Sequence, residues 1–199
     1  MRTFLFLPIV CLACSQSPTP ADGGLDSGGA DAPADSPVTT DSGDAGGCNL
    51  QASATLTGTM LGQTLTPKDA VSFQMHTTQY EAVVAITDFT GTCALGNDFK
   101  ASSNVLSMVY LSNTTPLTPA KFDLTQSNVW DAQYAQYDST CQSPQGESST
   151  SGTITITSVD ACGIVGSYDL MLNNDHVTGT FTAPSCDNPA DGGAAGCKQ

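Results

Sequence analysis

Sulfur dominates the chemistry open to this chain: there are eight cysteines in 199 residues. Cys11 and Cys14 have the C-x-x-C spacing that reads as redox-active in a cytosolic domain. Here the pair closes an apolar run that begins at Phe4, and such a run at an N-terminus is an export signal. The other six, Cys48, Cys93, Cys141, Cys162, Cys186 and Cys197, lack the paired spacing of a zinc site. An even set in an exported chain reads as three disulfides. One local bridge is expected between Cys186 and Cys197, which bracket a Gly-rich loop.

Little else points to catalysis. His76 and His176 are the only histidines. His76 is expected on the polar side of a strand with Ser72 and Gln74, and His176 in a hairpin turn. A His₂–carboxylate metal centre would need both to converge with a third ligand, which nothing in the spacing implies. No metal or cofactor is therefore expected. The stretch Gly163–Ser167 is not the strained Gly-x-Ser-x-Gly elbow of a serine hydrolase. Asp131 stands beside Trp130, with Tyr134 and Tyr137 nearby, and is the only acid in a markedly aromatic setting. A polysaccharide-acting enzyme could use such an acid, but Trp130 is expected in the core. Asn113-Thr114-Thr115 matches a glycosylation pattern and reads as a loop before Pro116. Glu147 reads as a solubilising residue in a flexible polar connection from Gln142 to Ser151. No catalytic residue is assigned, and a non-enzyme is expected.

These residues need a place, and the N-terminus supplies an address. Arg2 precedes about ten apolar residues, Phe4 to Ala13, too few for the ~20 that span a bilayer. The sequence Cys11-Leu12-Ala13-Cys14-Ser15 resembles the lipobox of bacterial lipoproteins. That resemblance implies a signal peptide at 1–13, diacylglycerol and fatty acyl chains such as palmitate on Cys14, and a membrane anchor. Ser15 instead of Asp is, in lipoproteins of this kind, permissive for the outer membrane, facing the periplasm or the surface. Residues 14–47 read as a disordered tether of Asp, Gly, Pro, Ser and Ala. Asp22, Asp26, Asp31, Asp35, Asp41 and Asp44 recur in it with no base between them. It is too poor in apolar groups to offset its ordering entropy, and as a coil it reaches roughly 30 Å. The irregular Asp spacing lacks the closing Glu of a calcium loop.

Charge narrows the partners. Lys and Arg number 5 against 19 Asp and Glu, a net charge of -14. Such a surface repels nucleic acid and anionic lipid. Contact with the membrane is thus expected through the lipid alone. The other expected partners are an envelope protein or a small apolar ligand.

The domain is expected over 48–199. Its pattern has period two: Val71, Phe73 and Met75; Tyr80, Ala82, Val84 and Ile86; Trp130, Ala132 and Tyr134; Ile154 and Ile156; Tyr168, Leu170 and Leu172. Val105 to Leu111 is more uniformly apolar and reads as a central strand. Alternation with Thr and Ser between the apolar positions predicts half-buried antiparallel strands. The clearest hairpin joins Tyr168–Leu172 to Val177–Phe181 through Asn173-Asn174-Asp175. About 8–9 strands predict an all-β sandwich or meander barrel. The segment from Gly152 to Cys186, with Gly152-Thr153-Ile154-Thr155-Ile156-Thr157, Val165-Gly166-Ser167-Tyr168 and Val177-Thr178-Gly179-Thr180-Phe181, resembles a widespread type of exported bacterial β domain. That resemblance implies a calycin-like or sandwich-like fold and carries no active site. The expectation is a membrane-tethered, non-enzymatic binding or structural module. The alternative is a calycin-like barrel holding a small apolar ligand.

Overall fold

The computed structural model describes residues 48–95, 98–186 and 197–199. The expected signal peptide, the lipid site at Cys14, the tether and the loop 187–196 lie outside the described residues.

Antiparallel pairing organises the described chain. Its strands are β1 (Ser53–Ala54), β2 (Thr57–Gly58), β3 (Asp69–His76), β4 (Tyr80–Thr87), β5 (Phe99–Lys100) and β6 (Ser103–Ser112). There follow β7 (Ala120–Asp123), β8 (Trp130–Tyr137), β9 (Gln145–Asp160), β10 (Gly163–Leu172), β11 (Asp175–Pro184) and β12 (Cys197–Lys198). One short helix, α1 (Thr92–Leu95), follows β4. The main sheet runs β1-β11-β10-β9-β8-β6-β4-β3, with β2 on β11 and β7 on β9. Separately, β12 pairs in parallel with β5.

The sheet curls until its ends meet. A parallel bridge joins Ser72 of β3 to Ser185 just past β11. There the Cys186 amide donates to the Ser72 carbonyl at 2.9 Å, and the buried Ser72 hydroxyl donates to the Ala183 carbonyl at 2.9 Å. Farther along the seam, Gln74 Nε2 donates to the Asp160 carbonyl at 2.8 Å. The outcome is an all-β, nearly closed barrel, and closure removes the exposed edges that invite aggregation.

The interior is filled with side chains. Paired positions share a face, so Ile86, Leu106 and Tyr134 form one inward row, and Ala82, Tyr110 and Trp130 another. Val84, Met108, Ile154, Ile164, Leu170 and Leu172 are fully enclosed in the same cluster. Met60 and Leu65, from the connection before β3, join it. On the outside of β9, β10 and β11 stand Thr155, Ser167 and Thr180, one paired row of small polar groups.

Three expectations need correction. The first concerns β3, whose inward face carries Ala70, Ser72, Gln74 and His76, paired with Ile86, Val84, Ala82 and Tyr80. Val71, Phe73 and Met75 point outward, the reverse of the alternation reading. Small polar residues suit the seam, where a backbone approaches closely, and Val71 is buried on the other face, outside the central cluster and on the strand against which α1 packs. The second concerns Gln142–Ser151, which is no flexible connection from Gln145 onward. It is the first half of the 16-residue β9, pairing with β8. Glu147 faces Tyr134 across that pairing and is partly buried. The third concerns sulfur. The three disulfides are Cys48–Cys162, Cys93–Cys186 and Cys141–Cys197. All six cysteines pair as expected, but Cys186 does not bridge to Cys197. Cys186 is held at the barrel seam beside Ser72, where Cys93 at α1 comes within a Cα–Cα distance of 5.3 Å.

Candidate binding cleft at the barrel mouth

The β3–β4 hairpin brings two rings together at one end of the barrel. His76 and Tyr80 are a cross-strand pair. Their rings stack at 4.0 Å with a 4° interplanar angle. Next inward, Ala82 pairs with Tyr110 of β6. The Tyr110 hydroxyl donates to the Thr115 carbonyl at 2.9 Å. Ser112 fixes the same loop, its hydroxyl oxygen accepting from the amides of Thr114 at 3.3 Å and Thr115 at 3.2 Å. That bracing sets Pro116 and Leu117 as a wall opposite the hairpin. Together with Gln74, these residues surround an open cleft of 210 Å³ whose rim includes Met75 and Glu81.

An aromatic triad lies beside the cleft. Trp130 is 5.4 Å from Tyr110 and 5.7 Å from Phe122, ring to ring, all three tilted. Trp130 is buried as expected, and its Nε1 has no hydrogen-bond partner among the described residues. Leaving an indole N–H unpaired costs free energy that its packing must offset. The cleft therefore offers aromatic faces, an apolar floor, and the stacked imidazole and phenol of His76 and Tyr80. Ligand pockets usually enclose about 300–1,000 Å³, so this one suits a single ring or side chain.

The remaining candidates are dispersed. Asp131 alternates with Trp130 and Tyr134 and is exposed, with Gln133 Nε2 donating to its Oδ2 at 2.6 Å. The acid beside the aromatics therefore faces away from them. His176 lies on β11 and not in a turn. Its Nε2 is 2.8 Å from Asp169 Oδ1, an exposed pair of the kind that contributes little. His76 and His176 belong to opposite ends of the barrel: His176 pairs with Met171 near the β10–β11 turn, while His76 adjoins the β3–β4 turn. Among the described residues no group of three or more His, Cys, Asp or Glu could hold a metal ion. Asn113-Thr114-Thr115 is in the loop that walls the cleft. Tyr137 stacks on Phe99 at 4.9 Å, and burial pushes its phenol above the ordinary value.

A polar network at the opposite end escaped the sequence reading. Asp88 accepts from the Asn104 amide at 3.0 Å and from Asn104 Nδ2 at 2.7 Å. Tyr134 donates to Asn104 Oδ1 at 2.9 Å and accepts from Gln136 Nε2 at 3.0 Å. Burial raises the Tyr134 pKa, the Gln136 bond opposes it, and the nearby Asp88 and Glu147 raise it further. Glu147 accepts from Asn173 Nδ2 at 3.4 Å through Oε1, and its Oε2 is buried without a partner among the described residues. The inward alternation of Asn104, Gln136 and Glu147 with apolar neighbours was the available signal, hidden because polar side chains on alternating positions read as solvent-facing.

Compared with protein families, with curated proteins and with solved structures, the chain finds no match.

Proposed function

We propose that this chain is a non-enzymatic binding or structural module of the cell envelope, tethered to the outer membrane by lipid on Cys14 and facing the periplasm or the surface. Three disulfides fit an oxidising compartment outside the cytoplasm. One observation carries the binding reading: the barrel interior is occupied by its own side chains, and the recess at its mouth has room for one ring. Recognition then belongs to the mouth and the outer wall. A calycin-like carrier of an apolar ligand needs a hollow interior.

The test titrates the full chain with a long-chain fatty acid and with a naphthalene dye, following Trp130 emission. The module reading expects at most weak, rim-level quenching. Stoichiometric, tight uptake of the fatty acid into the barrel would make the carrier reading the correct one.

A further inference from the structure

The outer wall of the barrel is not uniform. Where β9 to β11 carry the row Thr155, Ser167 and Thr180, β3, β4 and β6 carry apolar side chains. Phe73, Val83 and Val109 form one outward row, each half-buried. The next row is Met75, Glu81 and Leu111, with Glu81 paired to both neighbours. Met75 is 38% exposed and Leu111 41% exposed. The third exposed large hydrophobic residue among those described, Phe99, is stacked on Tyr137. Two of the three therefore flank a single carboxylate. Contiguous exposed apolar surface of this kind marks interaction sites.

Glu81 has no hydrogen-bond or ion-pair partner among the described residues. The lysine and histidine pairs there are Lys198 with Asp98 and His176 with Asp169. An unpaired carboxylate framed by Met75 and Leu111 is an unmet half of a charge pair, in surroundings that exclude water once covered.

We propose that this outer face docks an apolar, basic segment of a partner protein, with a Lys or Arg side chain of the partner set against Glu81. Charge complementarity decides among occupants. The chain carries -14, so a basic partner is drawn to it over long range, which raises the association rate. A second copy carries the same -14 and would bring another Glu81 to the same face. An anionic lipid surface is repelled for the same reason. Buried against apolar groups, the new pair would be less screened by salt than a surface pair.

The probe is a short soluble peptide of alternating Val and Ser with one central Lys, and its Lys-to-Glu counterpart. Binding to the full disulfide-bonded chain is read by fluorescence anisotropy. The parent should prefer the Lys peptide by roughly tenfold, about 1.4 kcal/mol. Glu81→Lys should invert that preference. The double variant Met75→Ser, Leu111→Ser should weaken Lys-peptide binding by roughly tenfold. Both side chains are still partly covered, so the melting curve is measured beside binding, and a variant that is fully folded at the assay temperature separates lost docking from lost folding.

Equal affinity for both peptides, an unchanged preference in Glu81→Lys, or no binding by the parent overturns the proposal. So does a concentration-dependent dimer that Met75→Ser, Leu111→Ser abolishes, which would make the face a self-interface. Retention on phosphatidylcholine vesicles lost in the same variant would make it a lipid face and overturn the proposal equally. The readout is independent of the fatty-acid titration, so either reading can fail alone.

Discussion

Tyr168 shows how one inward residue ties the closing strands together. Its hydroxyl donates to the Thr55 carbonyl at 2.9 Å, and burial pushes its phenol well above the ordinary range. A raised folded pKa means that the neutral form is favoured in the barrel. The associated stability is intact below the unfolded pKa of about 10 and declines as pH rises beyond it. The melting temperature should therefore fall above about pH 10, and less steeply in Tyr168→Phe than in the parent. At neutral pH the same change should cost about 1 kcal/mol for the lost hydrogen bond, measured by urea unfolding. Gly179 lies opposite, where a Cβ would strike the Thr55 carbonyl and the Tyr168 ring. Gly179→Ala should destabilise by about 3 kcal/mol in the same assay. Legibility at this scale was uneven. Trp130 was readable as core because a large aromatic alternates with Ala132 and Tyr134. His76 was not readable as inward, because β3 has apolar residues on one face and seam-sized Ala70 and Ser72 on the other. Only tertiary contact tells which face turns in.

Among the elements, β9 departed most from expectation and organises most of the wall. Gln145–Ser148 pair with β8 and Thr153–Ile156 with β7, while β10 runs along Ser149–Asp160 on the other edge. The switch is marked by a register shift opposite Met171 and Leu172 and by Gly152 at φ 130°. A Cβ at Gly152 would meet the Asp169 carbonyl and Leu170 Cα. The N-terminal half of β9 is Gln, Gly, Ser, Thr and Glu, which propensity assigns to loops. Pairing with β8 overrides that preference. The period-two segments from Val71 to Ile86 and from Tyr168 to Phe181 were legible because hairpin neighbours specify each other locally. The seam was not, since nothing in sequence announces that residue 72 meets residue 185. Cys93–Cys186 closes a sequence separation of 93 at that seam, and its loss should cost about 4 kcal/mol. In Cys93→Ala, Cys186→Ala the amides of residues 185 and 186 should exchange with deuterium much faster. Those of Val84 and Met108 should change only as far as global stability does. A uniform acceleration would mean that the bridge does not hold the seam in particular.

On the scale of the whole molecule, Cys48–Gln199 forms a compact unit. Composition leads to an expected boundary at Cys48, because the Asp-rich stretch before it has almost nothing to bury. Two outcomes test the arrangement ahead of it. In a bacterial host, Cys14→Ala should lose alkyne-palmitate labelling and move to the soluble fraction; unchanged labelling and membrane retention would refute the anchor. Deleting most of residues 15–47 should leave the melting temperature nearly unchanged, because a segment so poor in apolar groups has little to bury. The crosslinks bear on biogenesis as well. Their pairs interleave, 48 with 162, 93 with 186 and 141 with 197. A chain threaded N-terminus first through a membrane presents Cys48, Cys93 and Cys141 before any native partner has emerged. The earliest oxidation available is therefore a wrong one, Cys48 to Cys93. Productive maturation then depends on keeping early thiols reduced or on exchanging that bond, so a host lacking its disulfide isomerase should accumulate misoxidised chain, resolved on non-reducing gels as a band between the native oxidised and the fully reduced chain.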